Sequence, residues 1–333
     1  MEEKKSSPFK NAITVLVSVA IAGVFLWVAL RGLDVEKIEQ SLKKANYLWV
    51  AFAAVFGVSA YIFRAVRWNL LLEPMGHKIS TSNSLWSISF GYLMNLTIPR
   101  SGELARSTAL YGVEKVPVDK SFGTIILERV VDLFCMMIFL GLTLIFKFNA
   151  IKSFYDNSGF QPNPAFIITV IAAGLIGLFL FFKFKERFRR FSIISKIIDF
   201  IDGIFEGLKS ILNLRQKGKF ILLTAGIWVC YFFASYLVCF SLPETSDFTL
   251  ADGCFILVIG TLGMIIPASG GIGAFNLAMK FGFTALFISM GKDAAEGGEL
   301  GLAYSFITLP LQIIIMLVMG LISIPMLAKN RKI

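Results

Sequence analysis

Two apolar runs in this chain are each interrupted by a proline with a Ser-Gly pair close behind it. The first break reads Ile98-Pro99-Arg100-Ser101-Gly102, followed by Glu103. The second reads Ile266-Pro267-Ala268-Ser269-Gly270, followed by Gly271 and Gly273. A proline ring removes a backbone donor and glycine adds backbone freedom, so neither run continues as one regular helix. The solvent decides what such a break means. Of 333 residues, 56% are hydrophobic and 16% charged, and the mean hydropathy is +0.74, which is the composition of a polytopic membrane protein. In hydrocarbon, freed backbone groups are tolerated only where protein buries them or where they line a wet cavity. Two breaks in corresponding halves of a membrane chain point to a transport site at a repeat interface.

The expected fold is therefore all-α and polytopic, a single integral membrane domain over residues 1–333. Runs long enough to span lie near 12–30, 47–66, 122–146, 165–183, 219–241 and 301–327, about six full spans. The two broken runs are expected as re-entrant or broken-helix hairpins, 84–112 and 251–290. They divide the chain into half-repeats of about 47–146 and 219–328. Between these, residues 184–218 place Phe and Ile at helical spacing among Lys and Arg, the pattern of an amphipathic helix on the inner leaflet.

Charge supplies an orientation. With the N-terminus inside and both hairpins re-entrant, 23 of the 32 Lys and Arg fall on cytoplasmic pieces and 7 on external ones. Arg129 and Lys280 lie within membrane segments. The positive-inside rule then puts both termini in the cytoplasm. Three spans separate the two breaks, so the hairpins enter from opposite sides, an inverted-repeat architecture. The net charge of +10 is accounted for by this bias, and no nucleic-acid partner is expected. Cys135, Cys230, Cys239 and Cys254 sit in apolar segments without CxxC spacing and read as packing residues. A single histidine, His77, argues against a histidine-based metal site or nucleophile pair, and no Walker A sequence occurs. No cofactor, metal or catalytic residue is assigned.

Ionisable groups at membrane depth are candidates for function. Arg64 and Arg67 share a helix face at i, i+3 and fit a phosphate or carboxylate, with Trp68 expected at headgroup level. Arg100, Glu103 and Arg106 surround the first break, where Ser101 and the free donors of a helix start suit an anion. Glu128 and Asp132 lie one turn apart in an apolar span, with Arg129 offset between them. They read either as structural partners of the arginines or as a gate that pairs differently in two states. Asn95 precedes the first break, and Ser269 and Asn276 are the polar groups of the second. Pro99, Gly102, Pro267, Gly270, Gly271 and Gly273 make the breaks themselves.

These residues, in this order, carry a resemblance. Arg64-x-x-Arg67-Trp68, the run from Asn95 to Glu103, Glu128-Arg129-x-x-Asp132 and Pro267-Ala-Ser-Gly-Gly-Ile-Gly273 resemble the lysylphosphatidylglycerol synthase transmembrane-region family of flippase-like membrane proteins. The resemblance spans about residues 10–328 and implies a bacterial or archaeal inner-membrane protein. It further implies a translocase without the aminoacyl-transferase domain that follows this region in the fused lipid-modifying enzymes. One position departs: many relatives carry an acidic residue where Asn276 stands, so the carboxylate that would meet a cationic headgroup is an amide here.

The leading expectation is a translocase that moves a phospholipid or modified lipid headgroup between leaflets of a bacterial inner membrane. Its partners would be membrane lipids, anionic or aminoacylated, together with a lipid-modifying enzyme. Two alternatives stand beside it: an integral-membrane lipid-modifying transferase, and a non-transporting scaffold for a lipid-modifying enzyme. The Gly203-x-x-x-Gly207 spacing is compatible with a homo-oligomer but too common to assign one.

Overall fold

A computed structural model describes residues 35–98, 100–157, 169, 214–265 and 271–331. Among the described residues the chain forms ten α-helices and no strand. They are α1 (Val35–Lys44), α2 (Tyr47–Leu72), α3 (Thr81–Thr97), α4 (Gly102–Glu114), α5 (Val118–Phe146), α6 (Phe148–Asn157), α7 (Lys217–Cys239), α8 (Leu250–Ile265), α9 (Ala274–Ser289) and α10 (Ala294–Lys329). Short 3-10 turns follow α2 at Glu73–Met75 and α7 at Pro243–Thr245.

The start signals are ordinary side-chain caps. The Asn46 oxygen accepts from the Leu48 N–H at 3.0 Å and opens α2. Asp293 accepts from the Glu296 N–H at 2.9 Å and opens α10. Each cap satisfies a donor that the first turn leaves unpaired. Among the described residues four helical segments are long and apolar enough to cross a membrane: Tyr47–Met75, Val118–Phe146, Lys217–Cys239 and Ala294–Lys329. They match the expected spans 47–66, 122–146, 219–241 and 301–327. Their surfaces carry large exposed apolar side chains, such as Phe134, Ile138 and Ile145 on α5, as a lipid-facing helix requires. The expected spans 12–30 and 165–183, and the amphipathic segment up to residue 213, lie outside the described residues.

Both broken runs form pairs of short helices packed on each other, α3 with α4 and α8 with α9. The arms have 17, 13, 16 and 16 residues. At 1.5 Å per residue the arms run about 20–26 Å, short of the ~30 Å hydrocarbon core. The first break has a local cause. Ile98 precedes proline and takes φ −129°, ψ 111°, because the proline ring disfavours helical backbone in the residue before it. Arg100 then turns with φ 63°, and the helix restarts at Gly102. Here α3 and α4 meet backbone to backbone: a Cβ on Gly102 would stand 2.5 Å from the Gly91 carbonyl oxygen. Pro99 and residues 266–270, including Pro267, Ser269 and Gly270, lie outside the described residues.

Two cores follow from these pairs. One surrounds the first hairpin with Ala65, Trp68, Leu72, Ile88, Leu110, Val113, Val116 and Ile125. A larger one packs the second hairpin against α7 and α10 through Tyr236, Phe255, Phe283, Phe287 and Tyr304. Helix α10 touches both hairpins. Its N-terminal half lies on α9, where Asn276 donates to Ser305 at 2.7 Å. Its C-terminal half lies on α3, where Asn330 donates to Asn83 at 2.8 Å.

Candidate functional site

The intramembrane charges expected from the sequence converge on one cluster between α2, α4 and α5. Asp132 receives two arginines, Arg64 Nη2 at 3.0 Å and Arg67 Nη1 at 2.9 Å. The i, i+3 spacing of these arginines sets both guanidiniums on the face turned to α5. One turn earlier on α5, Glu128 accepts from Arg106 Nη1 at 2.7 Å, and its other oxygen lies 3.9 Å from Arg67 Nε. Arg67 also donates to Thr224 on α7 at 3.3 Å. Arg67 is 0% exposed and Glu128 1%, so the cluster is desolvated. Charges in such a place persist only when paired.

Trp68, expected at headgroup level, faces the interior of the bundle. It is fully buried, and its indole N–H donates to Thr124 at 2.8 Å. The Arg106 guanidinium lies over the indole ring at 3.6 Å from its centroid. The reason is helix phase: Trp68 follows Arg67 on the inward face of α2, so the ring serves as a floor under Arg106 instead of a lipid anchor. Arg64, Arg67 and Arg106 are likewise buried in the bundle.

Beside this cluster lies a narrow cleft of about 20 Å³, lined by Arg64, Tyr92, Asn95, Gly102, Glu103, Arg106 and Arg129 among others. That volume holds roughly one water. At its rim Arg129 pairs with Glu103 at 2.7 Å, with side-chain exposures of 52% and 28%. Asn95 reaches across the break: its side-chain oxygen accepts from the Gly102 N–H at 2.7 Å and so opens α4. The Ser101 hydroxyl is directed at carbonyls of the arm before it, Ile98 at 2.7 Å and Met94 at 3.0 Å. Arg100 is exposed and donates to the Ile265 carbonyl at 3.4 Å, which brings the first break beside the end of α8.

At the second break, Gly271 and Gly273 have φ of 77° and 82°. Asn276 is 1% exposed and accepts from the Gly273 N–H at 2.9 Å, which starts α9 as Asn95 starts α4. The cluster brings together Arg64, Arg67, Trp68, Arg106, Glu128 and Asp132. Arg129 and Glu103 sit at its rim, and Arg100 and Asn276 stand apart from it.

Sequence reasoning missed two buried carboxylates. Asp252 is fully buried, accepts from the Thr249 N–H at 2.9 Å and pairs with Lys147 at 2.6 Å. It ties the far end of α5 to α8. Its signal was a carboxylate opening an apolar run three residues after a threonine, a helix-start pattern. Glu299 is 9% exposed on α10, and its signal was a lone charge in the stretch before the expected span.

Such a bundle, with spanning helices, two helix-break-helix hairpins and a buried guanidinium–carboxylate cluster, defines a polytopic integral membrane protein. The profile of the lysylphosphatidylglycerol synthase transmembrane region matches residues 15–316, and the chain belongs to that family. It is 21% identical over 306 residues to the glycosyltransferase AglD of Haloferax volcanii, covering 82% of this chain and 49% of that protein. It is 23% identical over 191 residues to the UPF0104 membrane protein MJ1595 of Methanocaldococcus jannaschii, covering 56% of this chain and 54% of that one. The chain thus spans about half the length of these curated relatives. No solved structure matches it at a significant level.

Proposed function

We propose that this protein is a lipid translocase of a bacterial inner membrane, with both termini cytoplasmic and its two hairpins forming an inverted pair. The observation that carries the reading is the buried cluster of Arg64, Arg67, Arg106, Glu128 and Asp132 opening onto a cleft beside the first break. A cluster with a purely structural role gains little from burial, since apolar residues of similar volume stabilise as well or better. Charged groups kept at that depth suit a path for a polar headgroup. The headgroup crosses between the hairpins while its tails remain in the bilayer.

The carboxylates act as internal stand-ins for the headgroup. In the arrangement seen, Asp132 and Glu128 hold the guanidiniums and thereby tie α5 to α2 and α4. A headgroup phosphate competes for the same N–H donors, because guanidinium forks fit carboxylate and phosphate oxygens alike. When it does, α5 is released and the cleft widens beyond the space for one water. Asn95, Ser101 and Asn276 keep the breaks in shape while the arms move. A lipid-modifying enzyme that supplies or receives the lipid is the expected partner.

A second reading follows from AglD, whose name is that of a glycosyltransferase and of which this chain matches about half. In that reading the same cleft receives a lipid carrier for a transferase. One experiment separates the two. Headgroup accessibility of fluorescent anionic, zwitterionic and lysyl-modified lipids is followed in proteoliposomes for wild type and Asp132→Asn. Exchange of one class, lost in a folded Asp132→Asn protein, supports translocation. No exchange for any class removes the translocase reading in favour of the transferase or a scaffold.

A further inference from the structure

The charge of the cluster is unbalanced. Four guanidiniums, those of Arg64, Arg67, Arg106 and Arg129, meet three carboxylates, those of Glu103, Glu128 and Asp132. Every one of the three carboxylates is already engaged, Glu103 with Arg129, Glu128 with Arg106, and Asp132 with both Arg64 and Arg67. Among the described residues one positive charge is left over in a buried place where charge is costly. Arg100, exposed at the break, adds to the excess and does not cancel it.

The excess has a location. Arg106 is 6% exposed and lines the cleft, with one nitrogen on Glu128 and the Trp68 ring against its face. Among the described residues its Nε and Nη2 are buried without a hydrogen-bond partner, as is Nε of Arg64, which lines the same cleft. Unmade hydrogen bonds on buried charged donors are costly. The groups lining the cleft therefore offer spare donors and one carboxylate, Glu103, already occupied by Arg129.

We infer that the cleft selects a lipid phosphate that carries no compensating amine, and rejects zwitterionic and aminoacylated headgroups. This deepens the translocase reading and rests on it for transport, while the binding preference stands on the charge balance. A phosphate without an amine meets the spare guanidinium donors and offsets the excess. A zwitterion leaves the excess in place, and a lysyl-modified lipid, with its two amines against one phosphate, increases it.

The test is thermal unfolding of the full chain in detergent, titrated with short-chain lipids. The probes are phosphatidylglycerol, phosphatidic acid, phosphatidylcholine, phosphatidylethanolamine and lysyl-phosphatidylglycerol, with inorganic phosphate alongside. The amine-free pair is expected to bind about tenfold tighter or better than the rest. Arg129→Gln balances the cluster, and its half-exposed pair can be removed with the fold intact. That variant is expected to lose the preference, and Arg129→Gln with Glu103→Gln restores the excess and the preference together. Equal or tighter binding of an amine-bearing lipid overturns the inference. So does a double variant as impaired as the single one, which would make Arg129 a local contact. Inorganic phosphate matching the lipids overturns the lipid source and leaves the phosphate site. The preference without any exchange in proteoliposomes removes the translocase reading alone; exchange of zwitterionic lipid removes this inference alone.

Discussion

The Arg100 guanidinium donates to the backbone carbonyl of Ile265, 165 positions further along the chain, at 3.4 Å. Arg100 belongs to the first break, and Ile265 is the last residue of α8 before the second. The carbonyls at a helix end lack intrahelical partners and carry the negative end of the macrodipole, so a guanidinium suits them. Arg100 holds this position with φ 63°, a region that costs a non-glycine residue about 1–2 kcal/mol.

Arg100→Gly should therefore change function more than stability. Relief of the left-handed backbone offsets a lost exposed hydrogen bond of about 1 kcal/mol and the added chain entropy of glycine. The expected unfolding free energy in detergent stays within about 1 kcal/mol of wild type. On the translocase reading, leaflet exchange in proteoliposomes should slow, because the contact between the first break and the end of α8 is gone. A variant that unfolds early instead would make Arg100 a structural residue.

The two glutamates of the cluster should separate sharply. Glu128→Gln leaves Arg106 charged and buried without its countercharge, which costs up to about 3–5 kcal/mol. Glu103→Gln disturbs a pair with side-chain exposures of 28% and 52%, worth about 0–1 kcal/mol. Denaturant unfolding of the two variants side by side gives the comparison.

The fold was legible where local chemistry decides it. Pro99 and Gly102 announced the first break, and the two arms, 81–97 and 102–114, differ by a few residues at their outer ends from the expected hairpin 84–112. The spacing of Glu128 and Asp132 announced a shared face. Their partners were not legible, because Arg64 and Arg67 both reach Asp132, and Arg106 reaches Glu128, only through the packing of α2 and α4 on α5. The same packing buries Trp68, which sequence alone puts at the membrane surface. Asp252 escaped notice because its partner Lys147 lies at the end of another helix.

Trp68 combines two roles that substitution can part. Trp68→Phe keeps an aromatic ring under Arg106 and loses the bond to Thr124, an expected cost of about 1 kcal/mol plus the smaller ring. Trp68→Ala also loses the floor and leaves a cavity, about 3–5 kcal/mol. Thermal unfolding should rank them in that order.

Gly102→Ala should destabilise, since its Cβ would stand 2.5 Å from the Gly91 carbonyl and the arms would have to part. Overpacking of this kind costs about 1–3 kcal/mol. Gly112→Ala in the same helix has open space around the new methyl and should stabilise by up to about 1 kcal/mol. Opposite signs in a chemical denaturation series would bear out the close approach of α3 and α4.

The bond from Asn330 to Asn83 spans 247 positions. During synthesis the first hairpin enters the bilayer long before the helix it leans on has been made. At about 5–20 residues per second the wait is roughly 12–50 s. Through that interval the α3 face that will meet α10 needs a temporary neighbour, from lipid or from the insertion machinery. The helix that closes the first hairpin is thus made long after it, and a ribosome stalled near residue 310 would leave that hairpin without the C-terminal half of α10 beside it.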